Sequence, residues 1–270
     1  MNHTNTSIIK WEDFQTYNFE NGMISYFNIH TMEHENVPFT MTASEFKKIL
    51  RTFDYESAYA NMPKWSEDNG VERFMTVPFS YHYYSYVARN SMPPSPQQFV
   101  DSYVKDYINV FTINGKTYGK FKAKFQPICS DKAFILTNMK SRILRAYNSF
   151  NRELGLVLTI NELNYNGISA IYNIKLDMRD GIDVLVKKGN SKVGIATYVS
   201  SYRANTERDR KREKYHSGIR IVDYAADRLG DNKNVTFYGD VMLYSDDSVR
   251  NFIIEIEKII HTDREVAQSA

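Results

Sequence analysis

A short acidic segment followed by two apolar segments is the part of this sequence whose residue types could do chemistry. Asp180 and Asp183 stand at the start of an apolar segment, 181–187, in which side chains alternate as they do in a strand. The turn 188–191 leads directly into a second apolar segment, 192–200. This pattern predicts a tight hairpin with an acidic residue at the entry of its first strand.

The sequence lacks the residue patterns that several other kinds of functional site need. The six histidines and Cys129 are scattered along the chain, so no zinc-ligand spacing exists and a Cys-His nucleophile pair has no local support. The sequence has no Gly-rich loop ending in Lys-Ser or Lys-Thr and no Gly-x-Ser-x-Gly. Nucleotide hydrolysis and serine hydrolase chemistry are therefore not expected.

The acidic strand entry and tight hairpin resemble the core of the PD-(D/E)XK nuclease superfamily, and the order of predicted elements agrees with that family. There, an Asp on the first strand and an acidic-x-Lys triplet on the second hold a divalent metal and a water against a phosphodiester. A Glu on the preceding helix often joins them. Asp183 matches the first position and Glu153 the helical one. The resemblance thus implies Mg²⁺ on Asp183 and Glu153, where it would polarise the phosphate and activate water.

The triplet of that family is not matched. Ala196 and Tyr198 stand 13 and 15 residues after Asp183, where the acidic residue and the lysine are expected. Either the metal site is lost and the scaffold kept, or the missing groups have moved to the following helix, with candidates in Glu207, Lys211 and Lys214. In an active enzyme, Lys211 or Lys214 would position water or stabilise charge on the phosphate.

A simpler alternative exists for the acidic residues. Asp180 and Asp183 flank Gly181, and Asp and Gly are common in turns because of their backbone preferences. On this interpretation the segment is a strand-entry turn with no catalytic history.

Two basic segments favour a polyanionic partner although the whole chain carries a net charge of only +2. Residues 105–152 have a net charge of +8 and residues 203–214 of +3. Such segments can neutralise phosphates, whereas the alternative for 208–214 is a solvated helix with ion pairs four residues apart. The predicted nucleic-acid contacts are Lys120, Lys122 and Lys124, alternating on a strand, with Arg142, Arg145, Arg203, Arg208 and Arg212.

Helical and strand patterns place these residues in the second half of the chain. A helix is predicted over 137–154, ended by Gly155. Strands are predicted over 156–160, 170–176, 181–187, 192–200 and 234–238, and helices over 205–215, 219–229 and 245–260. This alternation favours an α/β domain with a mixed central sheet.

The first half of the chain carries many of the aromatic residues, which make up 14% of the whole sequence. Thr42 to Glu45 predicts a capping box ahead of a short helix, and Ser95-Pro96 predicts the start of another. Asn114-Gly115 predicts a hairpin turn. The tyrosine-rich run 81–86 favours a strand packed in a mixed sheet, with a base-stacking surface as the alternative.

Composition sets the broad class of protein. No stretch approaches the length of apolar sequence that a membrane span needs, the lone Cys129 cannot form an intrachain disulfide, and the N-terminus lacks the pattern of a signal peptide. We therefore expect a cytoplasmic protein with no membrane partner.

Together these patterns predict an α+β protein with an aromatic-rich recognition domain over 1–130 and a nuclease-like α/β domain over 131–270. The expected function is that of a restriction-type or mobile-element endonuclease dependent on Mg²⁺, or an inactivated relative, acting on DNA or RNA, with a homodimer as one possible assembly. The alternative is a non-enzymatic factor that holds nucleic acid or, through its basic helix, an acidic protein.

Overall fold

The structure is a computed structural model that describes residues 36–37, 39–60, 79–113, 132–173, 176–177, 180–199, 218–228 and 233–269. Three predictions lie outside these residues: the turn at Asn114-Gly115, the strand carrying Lys120, Lys122 and Lys124, and the charged helix 205–215. None of the helices in the described residues is both long and apolar enough to cross a membrane.

The protein has a mixed α+β fold, as the sequence predicts. In chain order the elements are β1 (Asn36–Val37), α1 (Ala43–Leu50), α2 (Tyr55–Tyr59), α3 (Phe79–Asn90), α4 (Pro96–Ile113), α5 (Lys132–Leu163), a 3₁₀ turn (Tyr165–Gly167), β2 (Ser169–Asn173), β3 (Val184–Lys188), β4 (Ser191–Val199), β5 (Arg220–Ala226), β6 (Val235–Tyr238), β7 (Val241–Tyr244) and α6 (Asp246–Ser269).

The chain divides into two compact units. The described residues of the first unit are 53–60, 79–90, 94–113 and 132–148, and the second contains the rest. The domain boundary predicted at residue 130 stays a prediction.

The first unit is helical where it is described, and aromatic rings form its core. Tyr83 meets Phe99 edge to face at a centroid distance of 5.4 Å, and the Tyr147 hydroxyl donates a hydrogen bond of 2.7 Å to the Pro94 carbonyl. Edge-to-face contacts suit the ring quadrupole, and a buried tyrosine hydroxyl needs an acceptor. The buried aromatic residues in the described part of this unit therefore serve packing.

The strand predicted over 81–86 is wrong, because these residues lie in helix α3. The buried positions of α3 include Phe79, His82, Tyr83 and Val87, which recur at the spacing of three and four that places them on one helical face. The preference of tyrosine for strands is weak, and the burial of one face of the helix outweighs it.

A five-stranded sheet organises the second unit. Its order is β1-β2-β3-β4-β5, with antiparallel neighbours except for β5, which runs parallel to β4. The predicted hairpin at Gly189-Asn190 is confirmed as central, because β3 and β4 pair from Val184 opposite Ile195 to Lys188 opposite Ser191. Gly189 has φ of 57°, the left-handed conformation that a two-residue hairpin turn requires.

Helices α5 and α6 and the hairpin β6-β7 cover one face of this sheet. Leu156 and Ile160 of α5 and Ile253 of α6 join Val184 and Ile195 in one buried cluster. Near the middle of α6, Lys188 and Asn166 both donate hydrogen bonds to Glu257 and hold the pKa of its carboxyl below the usual range. These contacts fix α6 against the β3-β4 turn.

The predicted stop at Gly155 is wrong, as is the strand over 156–160, because α5 continues to Leu163. A Cβ on Gly155 would lie 3.2 Å from a methyl of Leu243 and 3.4 Å from the Phe46 ring. Glycine is thus present for close packing rather than for its left-handed conformation. All ten residues from 151 to 160 are buried, and uniform apolarity does not distinguish a buried helix from a buried strand.

Of the remaining predicted elements, most are confirmed and one is wrong. The capping box at Thr42 and Glu45, the strands near 170–176 and 234–238, and a helix from 246 are confirmed. The helix predicted over 219–229 is wrong, because residues 220–226 form β5, whose partner along its length is β4. The alternating burial of Tyr224 and Ala226 follows the strand period.

Close contact at Gly194 gives a test of the sheet packing. A Cβ there would lie 2.9 Å from two atoms of Ile182, so Gly194→Ala should overpack the site and lower the free energy of unfolding by about 1–3 kcal/mol. Chemical denaturation should compare Gly194→Ala, Ile182→Ala and the double variant. The free energy of unfolding lost in the double variant should be smaller than the sum of the two single losses. Simple additivity would contradict the contact. Gly155→Ala is the matched control, and its loss should be smaller because only flexible methyls and a ring edge approach and alanine favours a helix.

Burial of His82 predicts acid sensitivity of the first unit. Desolvation, with a smaller effect of Arg89, lowers the pKa of His82 to about 3, while the unfolded chain binds this proton near pH 6.5. The contribution of neutral His82 to the free energy of unfolding is complete above pH 6.5 and is lost as pH falls toward 3. Between pH 7.5 and 4 the loss is roughly 3 kcal/mol. Denaturation at both pH values should show a smaller acid loss in His82→Gln than in wild type, and equal losses would contradict a buried neutral imidazole.

Candidate functional site

Asp183 is held at the entry of β3 by the neighbouring strand. Its backbone N–H donates a hydrogen bond of 3.0 Å to the Ile195 carbonyl. Its Oδ2 accepts hydrogen bonds from the backbone N–H of Thr197, at 2.6 Å, and from the Thr197 hydroxyl, at 3.2 Å. The half-buried carboxylate therefore has a fixed direction toward β4, and one of its two oxygens already serves as an acceptor.

Glu153 and Arg152 lie on the fully buried part of α5. Glu153 is 6% exposed and Arg152 only 4% exposed. The Ser149 hydroxyl donates a hydrogen bond of 2.8 Å to Glu153 Oε1 and lies 3.5 Å from Arg152 Nη2. Charged side chains are rarely buried without compensation, because removing a charge from water is costly. This pair therefore marks α5 as the helix that positions a polar site.

Tyr244 carries a buried hydroxyl whose pKa is influenced by charged side chains. Tyr244 is buried, and its hydroxyl donates a hydrogen bond of 2.5 Å to the Tyr224 carbonyl. Burial is the main cause that raises the pKa of Tyr244; the positive charge of Arg152 lowers it, and Asp183 and Glu153 raise it further. The charge of Arg152 thus has a larger effect on this hydroxyl than the charges of Asp183 and Glu153. That Asp183 and Glu153 share one site stays a prediction.

Aromatic stacking supports this site from the side of β5 and α6. The Tyr224 ring stacks on Tyr244 at 4.0 Å and on Phe252 at 3.9 Å between centroids. Its hydroxyl hydrogen-bonds to Ser248 Oγ at 2.9 Å, and Ser248 in turn donates to the Asn234 carbonyl. We name the group of Arg152, Glu153, Asp183 and Tyr244 the α5-β3 charge cluster.

Strand β4 supplies neither partner that the nuclease resemblance expects. Ala196 and Tyr198 lie in β4, whose one basic residue, Lys192, is beside the turn opposite Lys187. The acidic residue nearest in register is Asp223, which pairs with Ala196 from the parallel strand β5. The sequence prediction missed Asp223 because it assigned that segment to a helix. The spacing of two between Val222, Tyr224 and Ala226 was the signal for a strand.

The cluster does not fit a preformed Mg²⁺ site. Within the described part of the chain, no three Asp, Glu, His or Cys side chains are grouped so that they could hold a metal ion. Asp183 Oδ2 and Glu153 Oε1 already accept hydrogen bonds. Hard divalent cations take six or more oxygen ligands, several of which are commonly carboxylates.

The other predicted site residues lie elsewhere. Arg142 and Arg145 are on the part of α5 that belongs to the first unit, where both are half-buried and interact with neighbouring groups. The remaining eight lie outside the described residues: Lys120, Lys122, Lys124, Arg203, Arg208, Lys211, Arg212 and Lys214. Asp180 is buried, at 4% exposure, and also has a partner.

Two cavities in the second unit are separate from the charge cluster. One, of about 260 Å³, is lined by Lys47, Thr159 and Asp246 among others, and the Lys47–Asp246 ion pair crosses it. The other lies beside α1. Neither is lined by Glu153 or Asp183.

Comparison with protein-family models, with curated proteins and with solved structures found no match for this chain.

The Tyr244 hydrogen bond predicts a measurable contribution to stability. Tyr244→Phe leaves the buried Tyr224 carbonyl without this donor, which should lower the free energy of unfolding by about 1–3 kcal/mol. Tyr165→Phe is the control, because Tyr165 is partly buried and its hydroxyl has no hydrogen bond within the described residues. Urea denaturation should distinguish the two variants, and equal stability of both would contradict the bond.

Proposed function

We propose that this chain is a nucleic-acid-binding protein built on an endonuclease-like core whose metal chemistry is lost. The observation that supports it best is a mixed sheet with Asp183 at the entry of β3, preceded by a helix that carries the buried Glu153. In the family that the sequence resembles, this combination handles phosphodiesters. Ala196 and Tyr198 replace the groups that catalysis would need.

Binding is assigned to the basic segments rather than to the charge cluster. Arg152 is too buried to reach a phosphate, at 4% exposure, whereas the segments 105–152 and 203–214 together carry a large excess of positive charge. Lysine and arginine contacts to phosphate release counterions and give affinity that falls as salt rises. The predicted partner is DNA or RNA, and we place the protein in the cytoplasm.

A metal-dependent endonuclease is the second candidate function. The observation that favours it is the placement of Asp183 at the entry of β3 and of Glu153 on the helix before the sheet, as in the family that the sequence resembles. In that case both carboxylates would hold Mg²⁺, which supplies Lewis-acid activation of water and phosphate. The chain's own contribution would be to fix Asp183 against Thr197 and Glu153 against Ser149.

Replacing the predicted lysine stripe should weaken nucleic-acid binding. The triple variant Lys120→Ala, Lys122→Ala, Lys124→Ala removes three phosphate contacts, so the slope of log affinity against log salt should fall by about 3. Fluorescence anisotropy with labelled single-stranded and duplex DNA and RNA, from 50 to 300 mM salt, measures this slope. The matched control changes the exposed Lys48, Lys192 and Lys258 to Ala, with an equal change of charge and little expected effect. Equal slopes in both triple variants would remove the stripe from the interface.

Cleavage assays separate the two candidate functions. Wild type, Asp183→Asn and Glu153→Gln are incubated with the same nucleic acids in Mg²⁺, Mn²⁺ or EDTA. Binding without product, unchanged by EDTA, is the expected result. Metal-dependent product that disappears in Asp183→Asn would establish the endonuclease and contradict the loss of metal chemistry. Product that survives Asp183→Asn would show that the site lies elsewhere.

A further inference from the structure

The cavity of about 260 Å³ in the second unit lies where three helices meet. Residues of α1, of the end of α5 and of the start of α6 line it. Apart from Ala43 and Leu163, these residues are polar or charged. Pockets for drug-sized ligands occupy roughly 300–1,000 Å³, so this cavity suits a smaller and more polar molecule.

The Lys47–Asp246 ion pair forms a fixed wall of this cavity. Lys47 Nζ contacts Asp246 Oδ1 and also lies 5.7 Å from the centre of the Tyr238 ring. The Lys47 side chain is only 11% exposed, so its ammonium group is largely shielded from water. These two charges balance each other, and recognition of a ligand falls to the other lining residues.

Arg250 and Glu162 bring opposite charges to the same cavity without pairing with each other. Arg250 is exposed and forms no ion pair or hydrogen bond with any residue that the structure describes. Glu162 Oε2 accepts a hydrogen bond of 3.3 Å from the Ser44 N–H, and its Oε1 has no partner in the same part of the chain. A guanidinium binds a carboxylate in a bidentate manner, and a carboxylate oxygen accepts from an ammonium group.

Thr159 adds a buried hydroxyl to this lining. The residue is 4% exposed, and its hydroxyl forms no hydrogen bond within the described ranges. A buried polar group without a hydrogen bond costs free energy, because it has lost water and gained no partner. This hydroxyl therefore marks a position at which a polar atom of a ligand would complete the site.

The signs of the charges select the class of ligand. Phosphate or another dianion would meet the carboxylates of Glu162 and Asp246, and a simple cation would meet the guanidinium of Arg250. A molecule with one carboxylate and one ammonium group can satisfy Arg250 and Glu162 together and brings no net charge into the cavity.

We propose that this cavity binds a small α-amino acid in its zwitterionic form, with the ligand carboxylate on Arg250 and the ligand ammonium group on Glu162. The Thr159 hydroxyl supplies a further hydrogen bond. The proposal does not rest on nucleic-acid binding, so either can fail without the other.

Thermal unfolding of the wild-type protein with and without 10 mM glycine, L-alanine, L-serine or L-proline tests the proposal. With at least one of these the midpoint should rise by about 3 °C, as expected at roughly ten times Kd in a protein of this size. Acetate and ethylammonium at the same concentration each carry only one of the two charges and should give no rise.

Two variants locate the site. Arg250→Gln and Glu162→Gln should each weaken the affinity measured by isothermal titration by about tenfold or more, because each removes one charged partner of the ligand. Both residues are exposed, so both variants should fold. The matched controls Lys258→Gln and Glu255→Gln make the same changes of charge at exposed positions of α6 outside the cavity lining, and they should bind like wild type.

Three results would overturn the proposal. They are the absence of binding of all four amino acids to the wild-type protein, a response to acetate or ethylammonium equal to that to the amino acid, and unchanged affinity in either Arg250→Gln or Glu162→Gln.

Discussion

Burial of the helical segment 151–160 on every side is the constraint on which the second unit depends. Leu156, Val157 and Ile160 pack into the cluster that covers the sheet, while Gly155 allows Leu243 and Phe46 to approach the opposite side of the helix. A helix enclosed in this way carries its polar residues into the interior with it. The charges of Arg152 and Glu153 must therefore be balanced within the protein, and the geometry of the site follows from that requirement.

Residues of the strands hold further polar groups of the second unit in place. At the entry of β3, the Asp183 carboxylate accepts the hydrogen bond of the Thr197 N–H in the way that a main-chain carbonyl would. The carboxylate is therefore fixed toward Thr197 and does not rotate freely in solvent. Tyr244 binds the Tyr224 carbonyl and thereby connects β7 to β5. Hydrogen bonds that connect the strands in this way restrict how these elements can pack, because breaking one leaves a buried polar group unsatisfied.

Local patterns predicted the parts of the fold where sequence and tertiary contacts agree. Glycine and asparagine at 189–190 between alternating segments indicated the β3-β4 hairpin, and Thr42 with Glu45 indicated the start of α1. Prediction failed where tertiary contacts determine the secondary structure. Gly155 allows close packing and does not end a helix, and the residues of β5 form a strand because they pair with β4. The sequence named Asp183 and Glu153 as candidates for one site, and that interpretation stays a prediction. It missed the burial of Arg152, which no spacing rule signals, and it missed Asp223 with the strand that carries it.

The central claim is the proposed loss of metal chemistry from the endonuclease-like core, so that Asp183 holds no divalent ion. Paramagnetic broadening by Mn²⁺ in amide NMR spectra of the wild-type protein tests it most directly, because the Thr197 amide donates to Asp183 Oδ2 and would lie next to any bound ion. The account predicts a Thr197 amide signal no more broadened than those of exposed acidic segments elsewhere. Selective loss of the Thr197 signal at low Mn²⁺, reversed by excess Mg²⁺, would contradict it.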